Sequence, residues 1–329
     1  MKVLVLAPKT RYDQFSADNP TRLRCELVFR DRNDSEAEIL TAGADADALI
    51  VTPITPVSAE LIAQMPRLKL IHSEGVGFDR IDLEAARARG IYVCNNAGCN
   101  APAVAELSIT MMSMLLHRTL WGDRMVRAGR QDEAVKDLEV HIPSDLSDSA
   151  VGLVGFGHIA KAAAERLRAY HSTLYYYSRH RRPPEEEREY GVAYLPLHEL
   201  AERSDIVSLH LPANSESIRM IGGEFFSHMK PSAFLVNTGR GAVIDDAALC
   251  EAIRSGKIAG AALDCYYPEP ATSEHPIVKL AAEYPDKLVL CPHQGGIAQS
   301  AFRKAHEMLF SDLQKFMDGQ RPDRIVNGL

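Results

Sequence analysis

The sequence predicts an α/β protein made of two doubly wound parallel-sheet units, the second inserted in the first. Three observations carry this prediction. Short runs of branched apolar residues alternate with helical patterns from the first residue onward. A long helical stretch breaks that rhythm near residue 101. The alternation then restarts at Val151 and closes in a last helix long enough to pack back on the first unit.

The elements follow in order. Val3–Leu6, Cys25–Phe29, Ala48–Val51, Leu68–His72 and Ile91–Cys94 read as brief strands. Between them, Ser58–Met65 and Leu83–Arg89 read as helices, the latter stopped by Gly90. The stretch Ala101 to Ala128 carries Leu107, Ile109, Met111, Met112, Leu115 and Leu116, and is expected to be one crossover helix. The polar segment Arg130–Asp148 reads as a loop or arm. Strands resume at Val151–Val154, Leu174–Tyr177, Ile206–Leu209, Ala233–Val236, Gly260–Leu263 and Lys287–Leu290, and Ser300–Met317 is the final helix. Glu185–Glu187 reads as a solvated helix start. The expected division is 1–101 with 298–329 in one unit and 102–297 in the other.

A chain of 329 residues suits two domains at the usual ~100–200 residues each. Its 46% hydrophobic and 25% charged content is ordinary for globular proteins. A net charge of −7 argues against a nucleic-acid partner held on a broad basic face. The opening MKVLVLAPKT has no long apolar stretch or cleavage site of a secretory signal, and no run approaches ~18 apolar residues. A cytoplasmic protein with no membrane partner is therefore expected. Cys25, Cys94, Cys99, Cys250, Cys265 and Cys291 form no CxxC pair. Free thiols in a reducing compartment account for them better than a metal site does.

The segment VGLVGFGHIA carries the first chemistry. Val151–Val154 is the strand, and Gly155, Gly157 and Ala160 fill the small-residue places of G-x-G-x-x-G/A. The first glycine permits the tight turn, the second lets backbone approach a pyrophosphate, and Ala160 allows close helix packing. The helix beginning at His158 and Ile159 offers its N–H groups to the anion. The glycine pattern is weak alone, but here a strand precedes it, a helix follows, and the next strand falls in place. Where NAD sites usually carry an acid, about 20 positions on, this chain has Ser178, Arg179, His180, Arg181 and Arg182. A hydroxyl and an arginine suit the 2′-phosphate of NADP, with NAD as second choice. The other reading is an ordinary basic surface loop.

Four further segments carry a family likeness: SEGVGFDRIDL (Ser73–Leu83), NNAGCNAPAVAE (Asn95–Glu106), VNTGRGAVIDDAALCEAIRSGKIAGAALDCYYPEP (Val236–Pro270) and CPHQGG (Cys291–Gly296). With VGFGHIA they resemble the D-isomer-specific 2-hydroxyacid dehydrogenases, in order and spacing, from about residue 70 to 300. The first ~65 residues are not diagnostic. The resemblance implies a Rossmann cofactor domain inserted in a flavodoxin-like substrate domain. It implies a hydride transfer between a nicotinamide cofactor and a small 2-oxo or 2-hydroxy acid, glyoxylate and hydroxypyruvate being leading examples. Arg240 matches the arginine that binds the substrate carboxylate and carbonyl, His293 the catalytic histidine, and Glu269 its carboxylate partner. Thr238 and Asp264 match residues near the nicotinamide end, and Pro212 and Gly295 further cofactor contacts. Val76 and Gly77 match backbone donors to the substrate carboxylate. A homodimer built around Ala101–Ala128 and the following arm is also implied, and no metal.

The chemistry needs these residue types whatever the family. Reducing a ketone places negative charge on oxygen, so a proton donor must stand beside it, and histidine titrates near neutrality. A neighbouring carboxylate orients the ring and favours its charged form. Arginine grips a carboxylate with two prongs and keeps its proton. Singly, a histidine in a Pro-His loop is more often structural, and His210 before Pro212 is read so. Three features depart from the family pattern. Gln294 is more polar than the usual residue after the histidine, Tyr266 and Tyr267 crowd the approach to Glu269, and Val51–Glu60 lacks the arginine that would favour phosphorylated substrates. Two alternatives stay open: a formate- or phosphite-type dehydrogenase, and a non-catalytic dinucleotide sensor of the same fold.

Overall fold

Twelve strands organise residues 1–329, all of which the computed structural model describes. The first five are β1 (Lys2–Leu6), β2 (Glu26–Phe29), β3 (Ala48–Val51), β4 (Leu70–Ser73) and β5 (Tyr92–Cys94). They form one parallel sheet in the order β2-β1-β3-β4-β5. β3 and β4 are buried along their whole length; β3 is accordingly a continuous apolar run, ALIV, whereas β4 ends in the buried polar pair His72 and Ser73. On one face Leu4, Leu6, Leu49 and Ile71 pack with Ile39, Leu61 and Ile62 from the helices Glu36–Gly43 and Ala59–Ala63. Ser35 and Glu38 cap the first of these reciprocally. On the other face Val3, Val5, Ile50 and Leu70 receive Leu309, Phe310 and Leu313 of the long helix Gln299–Met317. Each such side chain contributes roughly 1.5–3 kcal/mol by burial.

The remaining strands are β6 (Ala150–Val154), β7 (Thr173–Tyr177), β8 (Ala193–Tyr194), β9 (Ile206–Leu209), β10 (Phe234–Asn237), β11 (Gly260–Leu263) and β12 (Leu288–Leu290). They make a second parallel sheet, β12-β11-β10-β9-β6-β7-β8. The helix Ala101–Leu116 covers one face with the helix His158–Ala169, through Met111, Met112, Leu115, Ala160 and Ala163. Leu200, Phe225, Phe226, Leu249 and Ile253 cover the other. The strand order turns back between β6 and β9, so a crevice opens beyond their C-terminal ends, the place where doubly wound sheets bind ligands. The two sheets belong to two units, Met1–Asn100 with Ile297–Leu329, and Ala101–Gly296. Each crossing falls one residue before the position expected from sequence.

Two sequence expectations need correction. The stretch Ala101 to Ala128 is two helices, Ala101–Leu116 and Thr119–Arg127, because Arg118 takes a left-handed conformation (φ 52°). There its guanidinium lies over the Trp121 ring and bonds Asp137 at 2.6 Å. Within Arg130–Asp148, a helix spans Gln131–Val140. It buries only Ala134, so no apolar stripe announces it. Acidic Asp132 and Glu133 in its first turn and the Lys136–Asp132 pair support it locally. No helix is long and apolar enough to cross a membrane, and the six cysteines are free.

Candidate active site

The glycine turn follows β6 directly. Gly155 has φ 91°, and a Cβ there would lie 2.8 Å from the His210 carbonyl oxygen, so only glycine fits. Gly157 caps the helix His158–Ala169 in extended conformation with no side-chain acceptor on the first-turn N–H groups. A Cβ on Gly157 would meet nothing within 4 Å, so open space faces those donors. His158 is exposed and Ile159 half-buried in the same turn, while Ala160 is fully buried against the sheet. A twelve-residue helix whose N-terminal N–H groups face an open, glycine-lined space fits the pyrophosphate of a dinucleotide. Behind the turn, burial drives the His210 imidazole down to about 4. Its Nε2 meets Ser208 Oγ at 3.0 Å, and it stays a neutral packing residue.

The loop after β7 carries the basic residues. Ser178 is buried and its Oγ donates to the His180 carbonyl at 2.5 Å. Arg179 pairs with Glu216, the two side chains being 66% and 64% exposed. Arg181 makes two bonds to Glu187, at 2.8 and 2.9 Å. Arg182, which the sequence did not single out, donates from Nη2 to the Phe156 carbonyl inside the glycine turn at 2.9 Å. Its backbone N–H is held by the Tyr176 hydroxyl at 2.7 Å. The signal for Arg182 was its place in the basic run, but the run does not say which guanidinium turns toward the glycines.

Three loops leaving adjacent strands assemble the chemical cluster. After β10, Asn237 accepts the Gly239 N–H at 3.0 Å and donates to the Arg240 carbonyl at 3.0 Å, shaping the turn that presents Arg240. Thr238 is buried, with its hydroxyl 2.8 Å from Ser108. After β11, the Asp264 carboxylate accepts the N–H groups of Gln294 and Gly295 at 2.8 and 2.9 Å. It thereby anchors the loop that follows β12 and carries His293. His293 itself is left-handed (φ 56°), a strained conformation for a non-glycine residue that fixes the ring's exit from the loop. Its Nδ1 lies 2.9 and 3.0 Å from the two Glu269 oxygens. The Tyr266 N–H donates to Glu269 at 2.9 Å and holds that carboxylate in place.

The electrostatics follow from those bonds. Hydrogen bonds to Cys265 and Glu269 raise the His293 imidazole to about 10, against burial, which opposes the charge. Burial pushes the Glu269 carboxyl up, but the bonds from His293 and the Tyr266 N–H, with the Arg240 charge, hold it below its usual range. Burial raises Asp264 despite its two N–H bonds. Cys265, one residue beyond Asp264, is the member that sequence reasoning missed. Its Sγ lies within 4.8 Å of the His293 and Glu269 ligand atoms and donates to the Gly239 carbonyl at 3.3 Å. At sequence level it was one of six scattered thiols.

The other anticipated positions have local contacts of their own. Pro212 is exposed, and its carbonyl accepts from Ser217 Oγ at 2.6 Å. Val76 and Gly77 lie in the first unit, beyond β4. Asn95 Nδ2 donates to the Val76 carbonyl at 2.7 Å and Ser73 Oγ to that of Gly77 at 2.6 Å, which fixes both peptides.

An inverse-ordered doubly wound sheet with a glycine turn, joined to an arginine, a glutamate and a histidine on neighbouring loops, is the arrangement of a nicotinamide-dependent oxidoreductase. The profile of the D-isomer specific 2-hydroxyacid dehydrogenase NAD-binding domain matches residues 109–295, and the chain belongs to that family. Among curated relatives, the glyoxylate reductase of Korarchaeum cryptofilum is 36% identical over 293 residues, covering 89% of this chain and 86% of the relative. That of Thermococcus litoralis is 37% identical over 285 residues, covering 86% and 84%. Among solved structures, D-lactate dehydrogenase from Aquifex aeolicus, complexed with NAD and lactic acid, has a TM-score of 0.82 at 26% identity, with 100% of both chains covered. Holo D-mandelate dehydrogenase of Rhodotorula graminis has a TM-score of 0.86 at 26% identity, covering 99% of this chain and 97% of that one.

Proposed function

We propose that this enzyme reduces glyoxylate, hydroxypyruvate or a related small 2-oxo acid, prefers NADPH, and works as a cytoplasmic homodimer. The observation that carries the reading is the His293–Glu269 pair, held on a loop anchored by Asp264 and set among the same three strand ends as Arg240. The nicotinamide, when bound, supplies the hydride. Arg240 binds the substrate carboxylate and polarises its carbonyl. Glu269 takes the Nδ1–H of His293, so the proton delivered to the new alkoxide leaves from Nε2. Thr238, Asp264 and Gly295 shape the nicotinamide end, and Pro212 flanks the cofactor. Gly155, Gly157, His158 and Ile159 hold the pyrophosphate.

The cofactor preference rests on Ser178 and Arg179, with Arg182 as a further guanidinium at the glycine turn. Arg179 exchanges an exposed carboxylate partner, worth about 0–1 kcal/mol, for a 2′-phosphate. One charged hydrogen bond contributes ~1.5–3 kcal/mol, so NADPH should win in kcat/KM by roughly 10- to 150-fold. The test is kcat/KM with NADPH and NADH across a panel of 2-oxo acids, in the wild type and in Ser178→Asp/Arg179→Ala. The double variant should invert the preference. Equal or better use of NADH by the wild type removes the NADP assignment, and tight NADPH binding without turnover of any acid replaces the reductase with a dinucleotide sensor.

A further inference from the structure

Two helices of the second unit carry a second group of ligating side chains that the reaction does not use. Leu197–Arg203 places His198 and Glu202 four residues apart, and Gly223–His228 does the same for Glu224 and His228. Spacing of four puts each pair on one helix face. The helices pack together, with Leu200, Phe225 and Phe226 inward in the core, and the two polar pairs meet on the outer side.

The contacts there are specific. The imidazoles of His198 and His228 stack with centroids 4.3 Å apart and planes 13° from parallel. Glu202 Oε1 lies 2.7 Å from His228 Nδ1, which leaves Nε2 of that ring for another partner. One ligating atom each from His198, Glu224 and His228 lies within 4.8 Å of the others. A tetrahedral zinc site with bonds of about 2.0–2.1 Å sets its ligand atoms about 3.4 Å apart. Side-chain rotation closes that difference, since Glu224 is exposed and both rings are only half-buried.

We propose that His198, Glu224 and His228 bind a borderline divalent transition-metal ion such as zinc, with Glu202 as the carboxylate that orients His228. Two imidazole nitrogens and one carboxylate oxygen are a zinc-type donor set, with a fourth position left for water. Magnesium and calcium, which take oxygen ligands, fit it poorly. Glu202 fixes the tautomer and orientation of His228, the usual work of a carboxylate behind a metal-bound histidine. The ion clasps the two helices to each other on the surface. None of the four residues belongs to the set around Arg240, so the proposal stands apart from the reductase reading.

The test uses the full chain, stripped with a chelator and titrated with Zn²⁺ by equilibrium dialysis, and with Cu²⁺ followed by electron paramagnetic resonance. The Cys265, Glu269 and His293 group is a competing site, so Cys265→Val serves as the control. The wild type and Cys265→Val should bind one Zn²⁺ alike, and Cu²⁺ should show two-nitrogen hyperfine structure without a thiolate charge-transfer band. His198→Ala/His228→Ala should lose that signal. Glu202→Gln should bind Zn²⁺ ~10- to 100-fold more weakly. Zn²⁺ should raise the Tm of the wild type and leave that of the double variant unmoved. Unchanged Zn²⁺ affinity in the double variant, or loss of binding in Cys265→Val, overturns the proposal.

Discussion

His72 with Asp312 and His293 with Glu269 are the same chemical pair in two regions of the molecule. The first joins β4 to the helix Gln299–Met317 at 3.1 Å, with both side chains 0% exposed. Every polar atom there is occupied: His72 Nδ1 meets the Ser73 carbonyl at 2.8 Å, and Asp312 Oδ1 takes the Asp323 N–H and Arg324 at 3.0 Å each. The second pair is 41% and 27% exposed, its histidine rides a left-handed loop residue, and Glu269 binds it through Nδ1. A histidine satisfied on both nitrogens and sealed from water holds a fold together. One gripped on a single edge and left open can exchange a proton. The pairing alone does not tell them apart; the completeness of the surrounding bonds does.

Breaking each pair should therefore damage different quantities. The largest effect is expected from His293→Ala, with kcat for 2-oxo acid reduction falling ~10²–10⁴-fold while NADPH binding and Tm stay near wild type. Steady-state loss of NADPH absorbance and a fluorescence titration measure the two halves. Wild-type kcat in a preparation free of contaminating reductase would remove His293 from the mechanism. Asp312→Ala should do the reverse, costing about 3–5 kcal/mol of stability by stranding buried partners, with kcat/KM per folded molecule retained. Denaturant unfolding checks this, and a loss under 1 kcal/mol would show the pair to be dispensable.

Arg240→Lys should lower kcat/KM by roughly 10- to 150-fold, raising KM and reducing kcat together, because an ammonium cannot reproduce the two-pronged contact. An unchanged kcat/KM for every accepted acid would argue that Arg240 only packs.

The acid–base behaviour sharpens the contrast further. Burial pushes Asp312 up, but its bonds from His72, the Asp323 N–H and Arg324 outweigh that and depress it. Its stabilising contribution is present above the unfolded carboxyl range and is lost as pH falls through the folded value, so it shows in acid unfolding. His293 is raised to about 10, so it stays protonated across neutrality; the pair's contribution to stability is complete below about 6.5 and is lost as pH climbs through about 10. Reductive kcat/KM should stay level across neutrality and fall only on that alkaline limb, while oxidation of the 2-hydroxy acid rises along it. The smallest effect is expected from Cys265→Val, which removes one of the two bonds and should move the limb to lower pH with little change in neutral kcat. A limb that does not move would mean that Glu269 alone holds the proton.

Much of this protein was written in local spacing. Branched runs between glycine-stopped helices announced both parallel sheets, because a strand buried on two faces needs only its own residues to be apolar. The glycine turn was equally plain, since Gly155 answers a steric demand made within its own turn. Arg240, Glu269 and His293 were singled out by motif order. Tertiary structure alone decided which basic residue turns to the glycines, that Arg118 breaks a helix, and that Cys265 joins the histidine. His293 reaches Glu269, twenty-four positions away, because β11 and β12 are neighbours in register, Ala261 beside Leu288 and Leu263 beside Leu290. Spacing along the chain encodes what a residue does to its own turn, but the meeting of loops from different strands depends on the order and register of the whole sheet, which no short stretch specifies.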